Sequence, residues 1–141
     1  MRRSRPPASI PLQKVLNAED IVRVQEIVPR VPAAEHVHRF ALQLVRRSRP
    51  EEPQAPGYVK ECLSWGAGPR AAQSLIHSAK VRALLHGRFH ASTEDVETVA
   101  LSVLAHRLVT NFNAESEGIT PEAIVTRLLA DVPRGAGEKL R

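Results

Sequence analysis

Cysteine and aromatic side chains are nearly absent from this sequence: 141 residues include one Cys, one Trp, one Tyr and three Phe. A lone Cys62 excludes an internal disulfide framework and a cysteine-rich zinc module, and it suits a reducing compartment, with the cytoplasm as the expected location. So few rings cannot build a base-stacking platform, and the core has to come from Val, Leu, Ile and Ala. Long apolar runs are missing too. No stretch approaches the roughly 20 residues needed to span a bilayer, so membrane insertion is not expected. The basic start Met1–Pro7 is followed by Pro11, Gln13 and Lys14, which interrupt Ile10 to Leu16, and it does not read as a signal peptide.

What remains is 43% hydrophobic and 25% charged, the balance of one ordinary domain. Twenty Lys plus Arg against fifteen Asp plus Glu leave a net charge of +5. Part of that excess sits in the tails, at Arg2, Arg3, Arg5, Arg134, Lys139 and Arg141. Solvated termini raise the pI without making a binding face, so nucleic acid is not an expected partner.

Residues 1–16 lack periodicity and read as a basic, Pro-rich lead-in. Asn17 can cap a first helix, with Glu19 and Asp20 in its first turn and an apolar stripe of Ile21, Val24, Ile27, Val28 and Val31 expected inside. A second helix, about Ala33 to Arg47, has its stripe at Val37, Phe40, Ala41, Leu44 and Val45 and is ended by Pro50. Tyr58 to Trp65 fits either a helix or irregular chain. Gly66-Ala67-Gly68-Pro69 is a turn that sets Pro at the first position of a long helix carrying Ala72, Leu75, Ile76, Ala79, Ala83 and Leu84, stopped by Gly87. Ser92-Thr93-Glu94-Asp95 matches a capping box for a further helix with Val96, Val99, Ala100, Val103 and Leu104, fading near Val109. Asn111 to Gly118 reads as a polar connection. Thr120, Pro121 and Glu122 open a last helix burying Ile124, Val125, Leu128, Leu129 and Val132. With no hairpin signal and no alternation, the fold is expected to be all-α, a bundle of about four main helices plus short pieces over residues 17–132, followed by a tail over 133–141.

Several chemistries are excluded by residue order. Lys14, Lys60, Lys80 and Lys139 follow Gln13, Val59, Ala79 and Glu138, never Gly, so no phosphate-binding Gly-Lys-Ser/Thr loop exists. Asp20, Asp95 and Asp131 precede Ile21, Val96 and Val132, so the acidic pair of a nucleotide hydrolase is missing. His36 and His38 point to different helix faces, and His86 and His90 flank Gly87 without cysteines or paired carboxylates, so no metal is expected. Cys62 has no adjacent histidine and reads as a small buried apolar residue.

One constellation carries a mechanism. Pro69 and Arg70 open a helix straight after a tight turn, so backbone N–H groups, the helix dipole and a guanidinium meet at one point, which is an anion site. Gln73, His77 and Lys80 continue a polar stripe from Arg70 at spacings of three, four and three. The same pattern describes a capped amphipathic helix with a wet side, and local spacing does not separate the two.

Gly66-Ala67-Gly68-Pro69-Arg70-Ala71, His86-Gly87-Arg88, Thr93-Glu94-Asp95-Val96, His106-Arg107 and Glu117-Gly118-Ile119-Thr120-Pro121 stand in an order and spacing that resemble the C-terminal lid of MoxR-type AAA+ ATPases. The likeness extends upstream through Val15-Leu16-Asn17-Ala18-Glu19 and Arg46-Arg47-Ser48-Arg49-Pro50, and so runs from about Pro11 to Val132. Two departures are Gly68, where members commonly carry Ser, and Phe40, often Tyr. The resemblance implies that Arg70 is the sensor-2 arginine, which reaches toward ATP bound by a separate P-loop core, with Gly68 and Ala71 beside the nucleotide. It also implies ATP and Mg in the parent protein and none held by this chain alone. A P-loop AAA+ core, a homo-oligomeric ring and a von Willebrand factor A-domain protein are the implied partners, and remodelling or activation of protein clients the implied role.

Two other classes use the same helices. A free-standing helical adaptor would hold a protein partner on their exposed faces. A DNA-binding module would draw on Arg39, Arg46, Arg47 and Arg49, although an arginine-rich helix end is more often a solvated or interdomain face. For Arg88 and Arg107 the expected role is a salt bridge fixing one helix against another rather than a phosphate contact.

Overall fold

The computed structural model describes residues 13–134. Within them lie seven α-helices and one small sheet: α1 (Ala18–Ile27), α2 (Glu35–Arg47), α3 (Gly57–Cys62), β1 (Leu63–Trp65), α4 (Pro69–Leu85), α5 (Thr93–Leu104), β2 (Val109–Thr110), α6 (Phe112–Glu117) and α7 (Pro121–Asp131). Short 3-10 turns follow α1 at Val28–Arg30 and α5 at Ala105–Arg107. The all-α expectation holds. Most of the lead-in, residues 1–12, and tail residues 135–141 lie outside the described residues.

Helix α4 is the centre of the bundle. Ala71, Leu75, Ala79 and Ala83 recur every four residues and are all buried, and three alanines in such a row let α5 and α2 approach closely. Val37, Phe40, Ala41, Leu44 and Val45 face it from α2, and Val96, Ala100, Val103 and Leu104 from α5. Ala72, Ile76 and Leu84, expected inside, are half-buried at the edge of this row. Helix α7 closes the core with Ile124, Val125 and Leu128, while Leu129 is only partly covered. Cys62 is buried, as expected for a small apolar residue.

The caps behave as their chemistry requires. Asn17 Oδ1 accepts from Asp20 N at 2.8 Å while Asp20 returns a bond to Asn17 N, and Thr120 Oγ1 accepts from Ala123 N at 3.3 Å. Gly87, at φ 68°, ends α4 with Arg88 N donating to Ala83 O at 2.9 Å, a left-handed stop that side chains rarely adopt.

Three segments differ from the reading of the sequence. Residues 63–65 and 109–110 pair antiparallel, Leu63 with Thr110 and Trp65 with Val109, a contact too short to show alternation. The supposed connection from Asn111 to Gly118 contains α6, capped by Asn111 Oδ1 on Ala114 N at 3.1 Å; only Ala114 is buried, so no apolar stripe betrays it. The stripe of α1 is not inside. Ile21, Val24 and Ile27 are 51%, 41% and 48% exposed, and only Val28 and Val31 reach the core, because the Val28–Arg30 turn carries the main contact with α4 and leaves α1 outside the bundle.

The junction of α4 and α5 is tied by Asp95, which is fully buried. Its carboxylate accepts from Arg82 Nη1 at 2.6 Å, from Arg88 Nη1 at 2.6 Å and from both N–H and hydroxyl of Ser92 at 2.9 Å. Arg88 therefore makes the expected interhelical ion pair. Arg107 does not: its guanidinium donates to the Val103 carbonyl of the preceding turn and meets His106, and no carboxylate oxygen lies within 4 Å of it among the described residues. The Arg88 guanidinium above all, working against the penalty of burial and assisted by Ser92 and Arg82, holds the Asp95 carboxyl well below the usual carboxylate range.

Asp95→Ala strands two guanidinium groups in a partly buried site, and the expected cost is about 3 kcal/mol, measurable as a lower Tm. Because the folded-state pKa is depressed, this stabilisation is complete above the unfolded carboxylate value of about 3.9 and is lost as the pH falls toward the folded value. Thermal melts below about pH 4 should therefore decline more steeply for the unmodified protein than for Asp95→Asn, whose amide does not titrate.

Candidate anion site at the start of the long helix

Gly68 is the N-cap of α4, in extended backbone at φ −75° and ψ 171°, and it has no side chain to offer the first turn. Pro69 follows at the first helical position, where its missing N–H is no loss. Arg70, exposed, stands at the second. Most other helices here close their N-termini with a side-chain acceptor, from Asn17, Ser92, Asn111 or Thr120. At the start of α4 Ala71 N donates to Gly68 O at 2.9 Å and Pro69 has no N–H, so the Arg70 N–H is the one left to another acceptor, and with the aligned dipole this favours an anion.

The polar stripe expected along α4 divides in two. Arg70, Gln73 and His77 line one shallow groove of about 500 Å³ together with Ser74 and Ser78. Lys80 is turned away from it: its Nζ donates to the Pro29 carbonyl at 3.3 Å and lines an apolar groove between α2 and α4 beside Leu42, Ala72 and Ile76. Gln73 and His77 border both grooves. Ala71, by contrast, is buried, so only its backbone faces the helix end.

The turn ahead of α4 is held by two residues, Ser48 and Arg49, for which the sequence showed no role at that turn. Ser48, the C-cap of α2, is fully buried; its Oγ donates to Val45 O at 2.7 Å and accepts from Ala67 N at 3.1 Å. Arg49 Nε donates to Ala67 O at 2.8 Å. Gly66 lies against the same chain, where a Cβ would come within 2.3 Å of the Ser48 carbonyl oxygen, so glycine is sterically required. The signal was present in the sequence as Arg46-Arg47-Ser48-Arg49-Pro50, but only the fold brings it to Ala67.

The same contacts occupy the arginines that a DNA-binding face would need. Arg39 pairs with Glu35, Arg46 donates to Glu52 at 3.0 Å, and Arg47 donates to the Asp131 carbonyl at 3.0 Å. Asp131 also accepts from Tyr58 OH at 2.8 Å, and burial together with this bond pushes the phenol pKa up. Arg127 stacks over the Tyr58 ring at 3.9 Å.

Residues 57–128, just over half of the chain, match the family model described as AAA lid domain. The chain belongs to the AAA lid domain family. It is a lid of MoxR type: it is 32% identical over 120 residues to the chaperone MoxR1 of Mycobacterium tuberculosis, and 33% identical over 86 residues to the protein MoxR of Methylorubrum extorquens. These alignments cover 85% and 60% of this chain but only 32% and 25% of the relatives, so the chain spans about a third or less of their length. A crystal structure of a Cytophaga hutchinsonii protein proposed to be an ATPase superposes with a TM-score of 0.79 at 29% identity, over 87% of this chain and 37% of that one. No helix among the described residues is long and apolar enough to cross a membrane.

Two substitutions probe the turn. A Cβ on Gly68 meets nothing within 4 Å. Gly68→Ser should supply the missing cap and raise stability by about 0.5 kcal/mol. Gly66→Ala should lower it by about 1–3 kcal/mol, since backbone rather than a flexible side chain has to give way. Denaturant melts of both variants check the pair of opposite signs.

Proposed function

We propose that this chain is the lid of a MoxR-type AAA+ ATPase and that Arg70 acts as its sensor-2 arginine, directed at the phosphates of ATP held with Mg on a P-loop core. The observation that carries the reading is the position of Arg70: exposed, at the second residue of a helix whose start has no side-chain cap. Gly68 and the backbone of Ala71 flank the phosphates in this reading, while Gln73 and His77 line the approach. None of this supports strong binding by the lid alone. A helix N-terminus contributes up to about 2 kcal/mol and a charged hydrogen bond about 1.5–3, and once the entropy of association and of ordering Arg70 is subtracted little is left toward the roughly 4.1 kcal/mol of millimolar affinity. Once the core holds the nucleotide, the same guanidinium stabilises charge that develops in the transition state.

In this reading ATP draws the lid onto the core and hydrolysis releases it, so that lid rotation moves neighbouring subunits of a homo-oligomeric ring and remodels or activates a protein client. A von Willebrand factor A-domain protein is the proposed partner, and the cytoplasm the proposed location. The names of the relatives, a chaperone among them, support the remodelling role.

Arg70→Ala in the full-length protein is expected to lower kcat for ATP hydrolysis by about 10²- to 10³-fold. The melting temperature should stay unchanged, because the side chain is exposed. An unchanged rate refutes the assignment. The 141-residue chain by itself should bind ATP no more tightly than millimolar in a calorimetric titration.

The exposed stripe of α1 favours a second reading, the free-standing adaptor, in which that face holds a protein partner. The two are separated by the mass of the native polypeptide, detected with an antibody against this stretch. A band far above 15.5 kDa supports the lid of a larger ATPase, and one at 15.5 kDa supports the adaptor.

A further inference from the structure

We infer that Ser48 and Arg49 are positioning residues for Arg70, gripping the turn that precedes α4 so that the guanidinium emerges at one place and angle. The inference rests on the nucleotide-directed role of Arg70 and adds the device that aims it.

The turn Gly66-Ala67-Gly68 is, by composition, a poor platform. Two of its three residues are glycines, and fixing each residue's backbone costs about 1–2 kcal/mol of entropy. Gly68 adds no side-chain cap, so the first turn of α4 lacks the usual local restraint against fraying. Ala67 supplies that restraint from outside the helix. Both of its backbone polar groups are taken, the N–H by Ser48 Oγ at 3.1 Å and the carbonyl by Arg49 Nε at 2.8 Å.

The two gripping residues are themselves fixed. Ser48 is fully buried, its hydroxyl donates to Val45 O, and its N–H donates to Leu44 O at 3.1 Å, so it is an extension of the α2 backbone. Arg49 lies 3.9 Å from Glu52, which is also bound by Arg46 and whose N–H donates to Arg49 O at 3.1 Å. Gly66 presses directly on this segment, so the turn can neither lift away without losing two hydrogen bonds nor sink closer without a clash. Only Gly68 and Pro69 separate Ala67 from Arg70. The buried row of Ala71, Leu75, Ala79 and Ala83 holds α4 in the core whether or not the clamp is closed. What the clamp adds is a hold on the turn that leads into Arg70, on the side of the arginine that this row does not reach.

A structural role alone would weaken the protein whether or not Arg70 is present, and a double-mutant cycle in the full-length protein separates the two roles. Ser48→Ala and Arg49→Ala should each lower kcat for ATP hydrolysis about tenfold with KM little changed, since a misplacement of about 1 Å can cost up to 10²-fold. In an Arg70→Ala background neither should lower it further, and Arg49→Lys, which keeps a donor for the Ala67 carbonyl, should recover part of the rate. Deuterium exchange read by mass spectrometry should quicken over residues 67–71 and not over α5, which shows that each variant is folded. Equal losses in both backgrounds, or full activity of Ser48→Ala and Arg49→Ala where Arg70→Ala alone is impaired, overturn the positioning role and leave the Arg70 assignment standing. Full activity of Arg70→Ala overturns both.

Discussion

The structure depends on the close packing of one helix. Ala71, Leu75, Ala79 and Ala83 form a single buried row on α4, and small side chains at three of those four positions let α2 and α5 lie against it. Bulkier residues would push the neighbours apart and open voids that the few large side chains here, Phe40 and a handful of leucines, could not fill. From that row follows the direction of α4 between its two neighbours.

Those ends are secured by buried polar groups rather than by more apolar surface. At one end Asp95 gathers Arg82, Arg88 and Ser92 around a carboxylate that water does not reach. At the other, Ser48 and Arg49 hold Ala67. Buried groups of this kind are costly when half-satisfied and rigid when fully satisfied. Both sets make hydrogen bonds across the junctions they hold, and between them the long helix has little freedom to slide or tilt. A chain rich in arginine thus commits several of its partly exposed guanidinium groups to contacts within the domain.

This economy suits a lid. In the proposed function the lid need not bind nucleotide strongly; it has to present one charged group at a reproducible place when the core domain brings the nucleotide to it. Rigidity at the start of α4 serves that purpose better than affinity does, because a preorganised charge does not have to reorient when the reaction occurs.

How much of this was legible beforehand varies with the range of the interaction. Caps and stops are local: Asn17, Ser92 and Thr120 name their helices, and Gly87 and Pro69 mark the ends of α4, because the partners lie within a few residues. The stripes of α2 and α5 declared their buried faces through periodicity, and Arg70 stood out because a helix start and a guanidinium coincide in the sequence itself. The stripe of α1 misled, since periodicity reports amphipathicity and not whether anything covers the apolar side. Helix α6 and the β1–β2 pair were too short to produce a pattern. The grip of Ser48 and Arg49 on Ala67 spans 18 or 19 residues and joins two backbone groups that every residue possesses. No residue type announces such a contact, so local chemistry determined where the helices begin and which arginine stands at an uncapped helix start, and only the tertiary packing decided what holds that arginine in place.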